Sequence, residues 1–169
     1  MTGTGEPIPP APPLAAGASF GRRALALCID LAALAFLNTI FLSHLGGLLF
    51  SGAPRTLWTM LLLSSTLAGA ALLVPPLLGL AYFTVFSACG GQTIGKLLLG
   101  IRVVEREGGA LSWGRAFLRA VGQLASALPL GAGFLWALID REGRAWHDHL
   151  AMSRVVVVEK SLDKEAAFQ

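Results

Sequence analysis

The sequence predicts an all-α integral membrane protein with two full transmembrane helices, a third broken helical segment and a small cytoplasmic β element. Three observations carry this. Of 169 residues, 54% are apolar and only 14% charged, and the mean hydropathy is +0.67; soluble domains are about one quarter charged. The apolar residues gather in runs of bilayer length. Two short β-branched stretches, 101–104 and 154–158, flank the third run. So few charges would not cover a soluble fold of this size. Two cysteines exclude a disulfide scaffold, and the apolar content excludes a disordered chain.

Residues 1–19 hold five of the nine prolines, one acid and no base, which predicts a disordered, proline-rich cytoplasmic tail. Residues 24–42 then form a 19-residue run whose one charge is Asp30, preceded by Arg22 and Arg23. One helix of that length crosses a hydrocarbon core of about 30 Å. The run is too long for a signal-peptide core of roughly 7–15 residues, and no cleavage pattern follows it. The stretch around Cys28 lacks the upstream apolar segment of a lipoprotein signal. A retained span is the better reading.

Residues 57–88 are uncharged over 32 positions, about 48 Å if helical and straight. Pro75 and Pro76 sit within the run, and adjacent prolines remove consecutive ladder donors. One tilted or broken span is expected. The third run, 116–139, is interrupted by Arg119, Pro129, Gly131 and Gly133. It either crosses once or enters and returns as two half-helices.

Charge orients these segments. Two bases precede the first span, one (Arg55) lies between the first and second, four lie in 89–115, and five follow the third run. The positive-inside rule then places the N-terminus, the 89–115 loop and the C-terminus in the cytoplasm. Neither β-branched stretch is stable alone, so they are expected to pair. Pairing needs both on one membrane side and favours a re-entrant third segment. The final residues, 160–169, read as a polar tail.

Arg23 and Asp30 are seven residues apart, two helical turns on one face. Asp30 lies about 9 Å inside the apolar segment by helical rise, where a bare carboxylate costs several kcal/mol. Either it is protonated or a cation stands beside it, and Arg23 is the first candidate. An ion pair that fixes packing and an ion or proton site are both open.

The segments FGRRALALCID (20–30), GGQTIGKLLLGIRVV (90–104), GGALSWGRAFLRAV (108–121) and RAWHDHLAMSRVVVV (144–158) resemble the RDD family of small bacterial membrane proteins. The resemblance covers about 20–158 and sets the membrane domain at 20–159. The arginine and two aspartates that name the family fall on Arg23, Asp30 and Asp148. Where the family usually has Gly-Thr before the final valines, this chain has Met152-Ser153, a departure at a local turn. The resemblance implies a bacterial inner-membrane location. It implies ion or small-solute transport as the usual proposal for an activity largely unassigned.

With a cytoplasmic C-terminus, Asp148 lies at the inner interface near Arg23, where a contact would act as a clip or gate. A guanidinium's five donors allow it to bridge two carboxylates. Residues 90–96 nearly spell a phosphate loop, but Leu97 stands where magnesium needs Ser or Thr, and no buried strand precedes it. A sharp cytoplasmic turn is expected, its glycines giving close backbone approach and Lys96 facing lipid phosphates. His147 and His149 would share a side only in a strand, and no further ligand is near, so no metal is expected. Cys28 and Cys89 are expected as free thiols.

Ser112 reads as a helix cap, and Arg115 with Trp113 as an amphipathic face on anionic headgroups. Arg119, on the same face, is a possible partner of Asp30. Trp58, Trp113, Trp136 and Trp146 fall near span ends, as in an aromatic belt. Small pairs at four-residue spacing (Ala24/Cys28, Ser64/Ala68, Ser65/Gly69) permit close helix contact.

No nucleophile–base pair or metal set assembles, so neither an enzyme nor a cofactor is expected, and nothing points to nucleic acid. The leading function is transport coupled to a monovalent cation or a proton. Asp30 is its reversible charge, Arg23 the tuning partner, Asp148 the gate, with Arg119 and Lys96 in support. Two spans enclose no conduit, so a homo-oligomer or membrane partner is implied. The rival is a non-transporting adaptor that binds partners or anionic lipids through the basic cytoplasmic face.

Overall fold

The computed structural model describes residues 16–52 and 56–158. The expected tails fall almost wholly outside this range. Residues 16–18, placed in the N-terminal tail by composition, instead lie along the sheet: Ala18 N–H donates to Val155 O at 2.9 Å and Val157 N–H to Ala16 O at 2.9 Å. Strand edges recruit any backbone with free donors and acceptors, and Ala16 to Ala18 contain no proline to prevent it.

Two long helices dominate. α1 (Phe20–Phe50) has 31 residues and α2 (Leu57–Ala88) has 32. Both are long and apolar enough to cross a membrane. They run antiparallel: Gly46 packs on Leu67 near one end, and Asp30 meets Tyr82 near the other. α1 extends beyond the expected 24–42 in both directions. Polar side chains near its far end do not stop it, because Thr39 and Ser43 donate to the carbonyls of Ala35 and Ile40 at 2.9 Å each.

α2 opens on a Thr56–Thr59 capping box and continues through Pro75 and Pro76 without a break. Each proline removes one donor, but lipid offers no water to a frayed backbone, so keeping the rest of the ladder is the cheaper course. Both helices leave large apolar side chains exposed, Phe36 at 70% and Leu72 at 75% among them. That is the surface of a helix facing hydrocarbon.

A short helix α3 (Ile94–Leu98) leads into β1 (Ile101–Glu105). The third apolar run then forms α4 (Trp113–Ala127) and α5 (Ala132–Leu135), the latter extended by a 3-10 turn at Trp136–Leu138. The break carries Leu130 and Gly131 at φ 52° and 82°, and the two halves bend by 111°. α5 folds back until Gly133 rests on Ser126, where any side chain would collide. α6 (Trp146–Leu150) and β2 (Ser153–Val157) complete the described chain.

β1 and β2 pair antiparallel, Ile101 opposite Val157 and Val103 opposite Val155. Both strands therefore lie at one end of the bundle, with the bent α4–α5 segment between them in sequence. A small core of Ala26, Ile101, Val103, Leu111, Ala116 and Val155 joins the sheet to α1 and α4. Ser64, Ser65 and Ala68 are exposed, so those small residues seat no helix among the described residues.

Candidate functional site: a buried charge cluster at one end of the bundle

The sheet end of the bundle buries Asp30, Lys96, Arg119, His147 and Asp148 in two layers, with partly buried Arg23 beside them. In the first, Asp148 is wholly buried. Its Oδ2 accepts from Arg23 Nη2, and its Oδ1 forms an ion pair with Arg119 Nη1 at 2.6 Å. The Ala145 N–H adds a bond at 3.1 Å, the reach-back of an acid in a helix's first turn. Arg23 Nη1 also donates to Gly143 O at 2.5 Å, and Arg119 Nη1 to Ser153 Oγ at 2.8 Å. One carboxylate thus bridges two guanidiniums, the reverse of a guanidinium bridging two carboxylates. Burial alone would raise the Asp148 carboxyl; the Arg119 and Arg23 charges outweigh it and hold the group below its ordinary 3.8.

The second layer surrounds Asp30, also wholly buried. Its Oδ1 accepts from Tyr82 Oη and Gly95 N, each at 2.8 Å, and its Oδ2 from Thr93 Oγ1 at 2.5 Å. These donors are neutral. They come together because Gly95 presses on the Ala26 backbone, an approach that any Cβ would block.

The placement of the sequence-derived residues differs from expectation in three ways. Arg23 does not reach Asp30: α1 directs it to Asp148 and Gly143, because α6 offers a buried carboxylate at the height of its guanidinium. Arg119 likewise pairs with Asp148, not Asp30. Lys96 does not face lipid phosphates. It is only 7% exposed, and its Nζ has no hydrogen-bond partner. The α3 turn carries it inward with Gly95, and burial, reinforced by the Arg119 charge, pushes the Lys96 amine down from 10.5 to about 7.

Arg115, read as lying on headgroups, pairs with Glu105 Oε2 at 2.6 Å. Ser112 stands at the α4 N-cap position without a side-chain bond. His147 and His149 sit on a helix and diverge: His147 is buried and pushed down to about 3 by desolvation, while exposed His149 lies 3.3 Å from Asp140. Among the described residues no three His, Cys, Asp or Glu side chains converge as metal ligands. Cys28 and Cys89 are both exposed free thiols.

Between the layers lies a cavity of about 80 Å³, walled in part by Arg23, Asp30, Lys96, Arg119, Gln123 and His147. Lys96 Nζ, Arg119 Nε, Gln123 Oε1 and His147 Nδ1 are buried there without partners. Tyr82, Thr93 and Ser153 were not singled out from sequence. Tyr82, the chain's single tyrosine, carries a phenol within an uncharged span, and that was the available signal.

Two apolar spans, a bent third helical segment and a buried ionic cluster at one end define a multi-spanning membrane protein. The RDD family matches residues 17–152, and the chain belongs to that family. No curated protein and no solved structure matches it. Met152 adopts φ 48°, the conformation glycine takes freely. Ser153 supplies the hydroxyl that Arg119 uses.

Proposed function

We propose that this protein couples transport to protons, with Lys96 and Asp30 as the proton-carrying pair and Asp148 as the fixed clip between Arg23 and Arg119. One observation carries the reading: a buried, unpartnered ammonium lines the same cavity as a buried carboxylate. A lysine whose amine titrates near neutral pH changes charge under physiological conditions, while an arginine stays protonated. Three basic side chains (Arg23, Lys96, Arg119) share that cavity and repel a metal cation, so a proton suits the site better than a monovalent metal ion. The reading retains a bacterial inner-membrane location with the cluster on the cytoplasmic side. It also retains a homo-oligomer or membrane partner, because two or three spans make a thin bundle in which a conduit is hard to build.

The test is proton flux in reconstituted vesicles of zwitterionic lipid carrying an entrapped pH dye. Under an imposed pH gradient the wild type collapses the gradient, while Lys96→Met and Asp30→Asn remain at the leak of empty vesicles. Equal, background flux in all three ends the proton-coupled reading.

A further inference from the structure

A second hollow adjoins the charged cavity. This apolar groove of about 470 Å³ lies between α1, α2 and α4 and shares with the cavity the wall residues Leu27, Phe83, Gln123 and Phe134. On α1 the groove spans 27–38, about 16 Å by helical rise. The cavity lies where α1 begins and α2 ends, and the groove leads from there toward the middle of the spans. Polar head space at interface depth thus continues into apolar space at hydrocarbon depth.

We propose that cavity and groove together hold one single-chain carboxylate, its head among Lys96, Arg119 and His147 and its tail between α1, α2 and α4. The proposal goes beyond proton coupling, since binding requires no transport. Three observations carry it. Lys96 Nζ and Arg119 Nε are buried donors without partners, and buried donors retain strong demand for an acceptor. The cluster holds three bases (Arg23, Lys96, Arg119) against two acids (Asp30, Asp148), so with Lys96 protonated a single monoanion neutralises it. The size of the cavity, about 80 Å³, admits about five water-sized groups. That suits a carboxylate and its first methylenes and is too small for a glycerophosphodiester. A helix from a second copy, about 10 Å across, would overfill the groove and bring no charge to the cavity.

The experiment uses the full chain purified in an uncharged detergent, incubated with tetradecanoate and read by native mass spectrometry. One tetradecanoate per chain is expected. Tetradecanol, which lacks the charge, and acetate, which lacks the chain, should each bind at least about tenfold more weakly, since each forfeits one half of the site. Lys96→Met should lose the tetradecanoate adduct. So should Gly79→Leu, whose new side chain enters open space in the groove wall, so that variant should still fold. Three results would overturn the proposal: acetate displacing tetradecanoate at equal concentration (a small-anion site only), tetradecyl phosphate binding as tightly as tetradecanoate (a phosphate-headed lipid), or undiminished binding by folded Gly79→Leu.

Discussion

Lys96 and Asp30 line one cavity and form no ion pair. All of the Asp30 bonds come from the neutral donors Tyr82, Thr93 and Gly95, while Lys96 Nζ stays unpartnered. A buried base and a buried acid held apart in this way differ from the Arg23–Asp148–Arg119 bridge beside them. In the bridge each guanidinium meets the carboxylate, whereas in the pair the two charges do not meet.

The bridge sets the first expectation. Asp148→Asn leaves buried Arg119 and partly buried Arg23 with reduced compensation, and breaking a buried pair from one side costs about 3–5 kcal/mol. Chemical or thermal unfolding in detergent should show this loss. The double variant Asp148→Leu/Arg119→Met should recover part of it, because it removes one of the two uncompensated guanidiniums, the fully buried one. A loss for Asp148→Asn within 1 kcal/mol, the size of a surface pair, would contradict the assignment.

Lys96 should destabilise the fold over a defined pH range. Its folded-state value is about 7 against 10.5 for a free amine. Between those values the unfolded chain binds more protons than the folded one, so stability rises with pH across the interval. Below pH 7 the penalty is fully present and on the order of 5 kcal/mol, at about 1.4 kcal/mol per pH unit. Lys96→Met should therefore be more stable than wild type at pH 6 and should flatten the slope of stability between pH 7 and 10. Denaturant midpoints measured across that range check both points.

How far the sequence reveals this site depends on which contacts are local. Charges inside apolar runs marked Asp30 and Arg119, and β-branched stretches at 101–104 and 154–158 predicted the strand pair that forms. Arg23 and Asp30, only two turns apart, invited a local pairing. Yet the partner of Arg23 lies 125 residues away, and the partners of Asp30 lie 52 to 65 residues away. Those distances are closed by α3 pressing on α1 at Gly95, and no periodicity in a single helix reveals such a docking. A glycine-rich turn suggests that Lys96 faces outward, yet the turn's own geometry carries it in.

Gly95 should be intolerant of any side chain. Gly95→Ala drives a methyl into the Ala26 backbone, separates α3 from α1 and removes one donor from Asp30. Overpacking of this kind costs about 1–3 kcal/mol, to which the lost bond adds about 1. Gly114→Ala, where nothing lies within 4 Å, should be neutral or slightly stabilising in its helix. Unfolding midpoints of the two variants measured side by side test the contrast.

Met152 holds a left-handed backbone at φ 48°. The conformation costs an L-residue roughly 1–2 kcal/mol, and glycine gives back part of that through unfolded-state entropy. Met152→Gly should raise stability by about 0.5–1 kcal/mol while leaving the Arg119–Ser153 bond intact. A destabilised variant would show that the Met152 side chain has a packing role in the membrane.

The central claim is that Lys96 titrates inside the protein near neutral pH. Solid-state NMR of 15N-lysine protein in bilayers, with Lys96→Met identifying the signal, follows the ammonium directly as pH is varied. A midpoint near 7 is the expected result; a midpoint near the free-amine value of 10.5 would contradict the account.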